Sequence, residues 1–200
     1  MYKRQKYGLE DEIKVNIEVN HATLSGHNFA HEIRVAADSG IFGSVDANRG
    51  DDRLGWDTDQ FPNSVDQMSM GVYELLRAGG FDKGGFMFDT KLRRQSMHPS
   101  DLFHGHIGGA DTMAKSLLVA AALIENGEIQ AILDERYSGW SGERGTAIMG
   151  GDVGLADLHA QVLADNIDPA PVSGQQELIE TIVNRTICLL YTSPSPRDRG

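Results

Sequence analysis

The stretch KVNIEVN, Lys14–Asn20, alternates Val15, Ile17 and Val19 with Lys14, Asn16, Glu18 and Asn20. Alternation with a period of two predicts a strand with one apolar and one polar face. Two later stretches repeat the design. IFGSVDAN (Ile41–Asn48) and GGFMFDTK (Gly84–Lys91) are apolar runs that arrive at an acid, Asp46 in one and Asp89 in the other. Helical patterns follow each strand. NFAHEIRVAADSG puts Phe29, Ile33 and Ala36/Ala37 on one face and stops at Gly40. SVDQMSMGVYELLRAGG starts at Ser64 as N-cap and ends on Gly79-Gly80, and DTMAKSLLVAAALIENG starts at Asp111 as N-cap and stops at Gly127. Such caps and stops delimit helices, and strand–helix alternation three times over predicts parallel βαβ units in an α/β fold.

Three βα units suit either a doubly wound sheet or part of a barrel. The first needs a glycine-rich turn of the G-x-G-x-x-G type after a strand, and none of these strands is followed by one. Polar strand faces that end in acids fit the interior and active rim of a (β/α)8 TIM barrel better. The expected fold is therefore about three βα units from the C-terminal part of such a barrel. From Glu128 onward, EIQAILDERYSGW, GLADLHAQVLADN and QQELIETIVNR read as short helices joined by Gly- and Pro-containing turns. They predict a helical C-terminal extension packed on its own barrel or on a neighbouring subunit.

The two ends read differently from the rest. CLLYTSPSPRDRG carries two Ser-Pro pairs and no hydrophobic period, and Cys188–Asp198 back-translates into a sequencing-library transposase adaptor read in frame. MYKRQ back-translates into the opposite strand of the same adaptor. Residues 1–5 and 188–200 are accordingly set aside as adaptor-derived. Residues 6–127 are expected to form the partial barrel with the metal centre, and 128–187 the extension. The net charge of −11 becomes more negative without these ends, which carry Lys3, Arg4, Arg197 and Arg199 against Asp198 alone. Such a chain repels phosphate backbones, so no nucleic-acid partner is expected, and cations are the natural ligands. The single cysteine, Cys188, falls in the adaptor segment. No signal peptide is evident, and the longest apolar run, SLLVAAALI (Ser116–Ile124), is too short for a bilayer, so a cytoplasmic protein without membrane partners is expected.

The densest chemistry lies in SVDANRGDDRLGWDTDQFP, Ser44–Pro62. Crowded carboxylates repel one another unless a cation sits among them. Asp57 and Asp59 are two apart, so an extended segment points both to one side. Glu18 and His21 lie at and just beyond the end of the first strand, on a strand-to-loop transition. With Asp46 and Asp89 the set comprises five carboxylates and one imidazole. Oxygen-rich donors select hard cations, and one histidine moves the balance toward Mg²⁺, Mn²⁺ or Co²⁺. The set is large for one ion and fits two ions sharing a carboxylate.

Ordinary structural roles account for other polar residues. Asp51 and Asp52 read as a solvated turn after Gly50. An EF-hand loop starting at Asp57 fails, because Pro62 and Met68 stand where glycine and glutamate are required. His27 and His31 are expected on the first helix or its cap. His98, His104 and His106 fall in the loop after the third strand, where HGH has no carboxylate partner spaced to complete a set. GHIGGAD lacks the Lys-Ser/Thr of a P-loop, so its glycines read as a turn into a helix.

KVNIEVNHATLSGHNFAHEI, GSVDANRGDDRLGWDTDQFP, FDTKLRRQS, DLFHGHIGGADTMA, ERYSGW and SGQQELIETIVN together resemble xylose isomerase, in its longer bacterial subgroup. Val19 and Ser25 depart from the alanines expected of the family. The resemblance implies an aldose–ketose isomerase that interconverts D-xylose with D-xylulose, and D-glucose with D-fructose. It also implies two Mg²⁺ per subunit (Mn²⁺ or Co²⁺ in their place), a sugar substrate, and a homotetrameric parent. Glu18 would serve both ions, Asp46 and Asp89 the first, and His21, Asp57 and Asp59 the second. Lys91 would brace the carboxylates. The family's His–Asp ring-opening pair and a further glutamate ligand would lie upstream, so no catalytic residue is expected within this chain, and the fragment alone is expected to be inactive. Two alternatives stand beside this reading: another divalent-metal barrel isomerase or epimerase, and a non-catalytic cation-binding module.

Overall fold

The computed structural model describes residues 2–9, 11–51 and 53–192. The readings at Met1, Asp52 and 193–200 lie outside the described residues. The elements run α1 (Tyr2–Tyr7), β1 (Val15–Glu18), α2 (Val19–Leu24), α3 (Phe29–Asp38), β2 (Phe42–Asp46), α4 (Val65–Arg77), β3 (Phe86–Met87), α5 (Pro99–Asn126), α6 (Glu128–Tyr137), a 3₁₀ turn (Ser138–Ser141), α7 (Glu143–Gly150), α8 (Leu155–Ala164) and α9 (Gln176–Thr192). The strands form one parallel sheet in the order β1-β2-β3, with helices in every crossover. This is the expected α/β arrangement on a small sheet.

The alternation seen in the sequence sorts the two faces of that sheet. Ile17 and Val45 are buried on one face, in a core with Phe29, Ile33 and Ala36 of α3 and with Met68, Val72 and Leu75 of α4. The other face carries Asn16, Glu18, Ser44 and Asp46. Register places Asn16 beside Ser44 and Glu18 beside Asp46. Ser44 Oγ donates to Asn16 Oδ1 at 2.7 Å, and Asn16 Nδ2 donates to Asp46 Oδ2 at 2.5 Å. Full burial of an aliphatic side chain contributes about 1.5–3 kcal/mol, so the apolar face supplies the stability and leaves the polar face available for chemistry.

Several boundaries differ from expectation. β1 ends at Glu18, and Val19–Leu24 is a short helix rather than a loop, because Val19 and Ala22 turn inward to be buried. β3 is reduced to two residues. The largest difference is α5, which begins at Pro99, twelve positions before the expected Asp111 cap. His98 is its N-cap: its side chain accepts from the Ser100 backbone, Asp101 accepts from the His98 backbone, and Pro99 occupies the first turn. His104, His106 and the glycines of GHIGGAD are therefore helical, not in a loop or turn. Glycine inside a helix costs about 1 kcal/mol relative to alanine. The compensation is close approach: a Cβ on Gly105 would lie 2.7 Å from the Phe61 ring, and one on Gly109 3.3 Å from it. Local glycine content read as a break, but the aromatic ring of another segment makes it a packing seam.

The same extension makes α5 long and apolar enough, by length and composition, to cross a membrane, contrary to the reading of its apolar run as too short. Val119, Ala120 and Leu123 are fully buried in the core, and α5 packs against α4 and α9, as the core helix of a folded domain does. α9 docks through Ile182 and Val183, and its Arg185 reaches both oxygens of Glu128 at 2.6 and 2.7 Å. It continues without a break through Cys188–Thr192, so the boundary expected at 188 falls inside a helix.

Candidate metal centre

The parallel register brings Glu18 and Asp46 side by side at the C-terminal ends of β1 and β2. Asp89 follows β3 by two residues. One carboxylate oxygen each from Glu18, Asp46 and Asp89 falls within 4.8 Å of the others. A second group, Glu18, His21 and Asp57, meets the same spacing. Glu18 is common to both.

Helix α2 sets the second group. Glu18 is its extended N-cap, so His21, three residues on, stands over it with Nδ1 3.0 Å from Glu18 Oε2. His21 Nε2 lies 2.9 Å from Asp57 Oδ2. Asp57 returns to the sheet because Arg49 and Gln60 pair in both directions at 2.9 Å, closing the intervening loop. Within that loop Asp51 accepts from the Arg53 backbone at 3.0 Å, the turn expected of it.

Two asparagines that sequence reasoning passed over hold the acids in place. Asn48, fully buried, accepts from the Asn20 backbone N–H at 2.9 Å and donates to Glu18 Oε1 and to the Asp89 carbonyl, both at 3.0 Å. Asn20, also fully buried, donates to Asp57 Oδ1 and, at 3.4 Å, to Asp59 Oδ1. Its own Oδ1 has no hydrogen-bond partner among the described residues. That oxygen lies against Gly50, where a Cβ would come within 2.1 Å of it, so Gly50 must be glycine for the loop to close here. The available signal was positional: both asparagines sit two residues beyond a strand-end acid.

Asp59 stands apart from both groups. Its backbone is left-handed at φ 40°, a conformation aspartate tolerates better than most residues. Its Oδ2 meets Lys91 Nζ at 2.6 Å, and its carbonyl accepts from the Lys91 backbone at 2.8 Å. Lys91 thus braces the acidic loop at this one carboxylate.

Electrostatics reflect the crowding. Burial pushes the Glu18 carboxyl above its ordinary value; Asp57 and Asp59 add to that, while the Asn48 hydrogen bond and nearby His21 oppose it. Burial also works to raise Asp59, but hydrogen bonds involving Asp57, Lys91 and Asn20 outweigh it and hold the group at about 2. The His21 imidazole is raised chiefly by its hydrogen bond to Asp57. A cluster of acids whose most central member resists ionisation is one that a multivalent cation between them would relieve. The donor set, carboxylates with a single imidazole, fits Mg²⁺, Mn²⁺ or Co²⁺ in chemistry.

Comparison with known proteins gives the same direction from an independent side. Residues 133–187 match the family model described as XylA2 C-terminal domain. The chain is 58% identical over 183 residues to a xylose isomerase of Actinobacillus pleuropneumoniae serotype 5b, covering 92% of this chain and 42% of that relative. It is 59% identical over 180 residues to one of Mannheimia succiniciproducens, covering 90% and 41%, and 55% identical over 183 residues to one of Pseudomonas fluorescens, covering 92% and 42%. The chain thus spans about two-fifths of the length of the curated relatives it matches.

Proposed function

From a chain so closely related to xylose isomerases over nine-tenths of its length, we propose that it is the C-terminal portion of an aldose–ketose isomerase acting on D-xylose. The observation that carries this reading is Glu18, common to two donor groups that together hold five of the six residues the resemblance assigns as ligands. On this reading residues 6–127 are the last three βα units of a (β/α)8 barrel and 128–187 an appended helical layer. The end of the family match at residue 187 supports placing the native boundary there. The parent is a homotetramer with two divalent ions per subunit, Mg²⁺ with Mn²⁺ or Co²⁺ as substitutes.

Asp46 and Asp89 would hold the first ion, His21 and Asp57 the second, and Glu18 would serve both; Asp59 would join the second on turning away from Lys91. Bound divalent ions supply Lewis-acid polarisation of the sugar oxygens, for a reaction in which hydride passes from C2 to C1 while a proton passes from O2 to O1. The chain's own residues prepare that chemistry. Asn48 fixes the rotamer of Glu18, and Asn20 and Lys91 fix the Asp57–Asp59 loop, so the negative charge is organised before substrate arrives. The remaining ligand, the ring-opening pair and the walls of the sugar pocket belong to the upstream portion.

Ketose formation from xylose with millimolar Mg²⁺ or Mn²⁺, by the complete parent gene recovered from the same DNA, tests the reading. Activity should be abolished by EDTA and fall about 10²–10³-fold in Glu18→Gln, the scale of losing one preorganised electrostatic partner. An inactive parent, or one unaffected by EDTA, sinks it. Deuterium from solvent at the reacting carbon would favour the epimerase alternative, and selectivity-free calcium binding without dependence on His21 the cation-binding module.

A further inference from the structure

A second cluster of metal-ligating side chains lies at the other end of α2. His27, His31 and Glu32 each offer a ligand atom within 4.8 Å of the other two. His27 Nδ1 meets Glu32 Oε1, and the His27 and His31 rings are 4.6 Å apart between centroids, tilted by 54°. From this geometry we propose that His27, His31 and Glu32 form a separate surface site for a borderline divalent cation of the Zn²⁺, Co²⁺ or Ni²⁺ class.

The backbone on both sides of the cluster is fixed. α2 ends in a left-handed Gly26, at φ 79°, and the His27 N–H returns to the Ala22 carbonyl at 2.9 Å. Asn28 caps α3 by accepting from the His31 N–H at 2.8 Å. His27 is thereby held one residue before the cap while His31 and Glu32 occupy the first turn, and all three side chains project from one rigid corner. Zn²⁺ binds imidazole and carboxylate at about 2.0–2.2 Å, which sets tetrahedral ligands about 3.4 Å apart. The ligand atoms, within 4.8 Å of one another, are spaced on that scale, and both imidazoles are exposed.

Donor chemistry separates the two centres. The strand-end cluster is rich in oxygen and suits hard ions, whereas two imidazoles and one carboxylate favour the later first-row metals. Three protein ligands leave a fourth position for water. The opposing term is the positive end of the α3 dipole, set against Glu32 and the negative charge of the chain as a whole.

Equilibrium dialysis of the purified chain against Zn²⁺, in excess millimolar Mg²⁺, tests the site. The chain should retain one Zn²⁺, His31→Ala should lose it, and Glu32→Gln, a near-isosteric change at a half-buried position that leaves the Asn28 cap intact, should bind about 10-fold or more weakly. Asp57→Asn should retain the ion. With Co²⁺ as probe, visible bands of a four-coordinate site should appear in the unaltered chain and vanish in His31→Ala. Equal Zn²⁺ uptake by the chain, His31→Ala and Glu32→Gln would overturn the proposal. So would loss of that Zn²⁺ in Asp57→Asn, because the ion would then belong to the strand-end centre.

Discussion

The region from β1 to α4 and the arm formed by α7 and α8 obey opposite rules. In the first, local pattern and burial agree: Ile17, Phe29, Ile33, Val45, Met68 and Val72 are all inside, and the sheet's polar face is knitted by asparagines. In the second, only Gly145 is buried on α7 and nothing on α8, while Leu155 is 87% and Leu163 67% exposed. α8, LADLHAQVLA, is made largely of good helix formers, so poor propensity does not explain its exposure. The difference is a packing partner. Large apolar side chains left outside at helical spacing mark a surface meant to be covered, which agrees with reading the arm as a layer laid on further barrel or on another subunit.

The sharpest way to break this contrast is to cut into both regions and compare stabilities by chemical denaturation. Ile33→Ala, at a fully buried position, should cost about 2–5 kcal/mol. A loss below about 1 kcal/mol would mean that the β1–α4 core is not a cooperative unit. Next in size is Asn48→Ala, which strips partners from the Asn20 N–H, Glu18 and the Asp89 carbonyl. Losing three hydrogen bonds at a net of about 0.5–1.5 kcal/mol each should lower stability by about 1.5–4.5 kcal/mol and weaken divalent-ion binding in titrations. Unchanged binding would show that the asparagine organises the fold alone. Gly105→Ala should then cost about 1–3 kcal/mol through overpacking on Phe61, despite the better helix propensity of alanine. A stabilised variant would refute the seam. The smallest effect belongs to the arm: Leu163→Ala should change the stability of this chain by no more than about 0.5 kcal/mol. In the complete parent the same change should cost about 1.5–3 kcal/mol, and an equally silent result there would leave the arm without a cover.

Much of the site was legible because its grammar is local. Alternation with period two is a property of consecutive residues, so KVNIEVN announced which face Glu18 would share with its neighbours, and the apolar run ending in Asp46 announced where β2 stops, whereas β3 ends at Met87, two residues before Asp89. The Ser64 start of α4 and the glycine stops of α3 at Gly40 and α5 at Gly127 are short-range signals of the same kind, although the Ser64 side chain makes no capping hydrogen bond. What stayed hidden depends on residues far apart in the chain. GHIGGAD reads as a turn until Phe61, more than forty positions earlier, is known to occupy the groove those glycines leave. Asn20 and Asn48 look like surface polar residues until the register of two parallel strands buries them between carboxylates.

The sequence by itself determined the parallel βα order, the acids at the strand ends and the kinship with xylose isomerases, since all three rest on residue types at short spacings or on long matching motifs. Only the tertiary structure decided that Asn20 and Asn48 are buried among the acids, that His21 rises from a helix to meet Asp57, and that Asp59 is turned toward Lys91. Those relations are set by the crossover helices and by the Arg49–Gln60 pairing that folds the acidic loop back onto the sheet. Convergence of side chains is a property of the packed chain, where burial selects one closure among many that the local pattern allows.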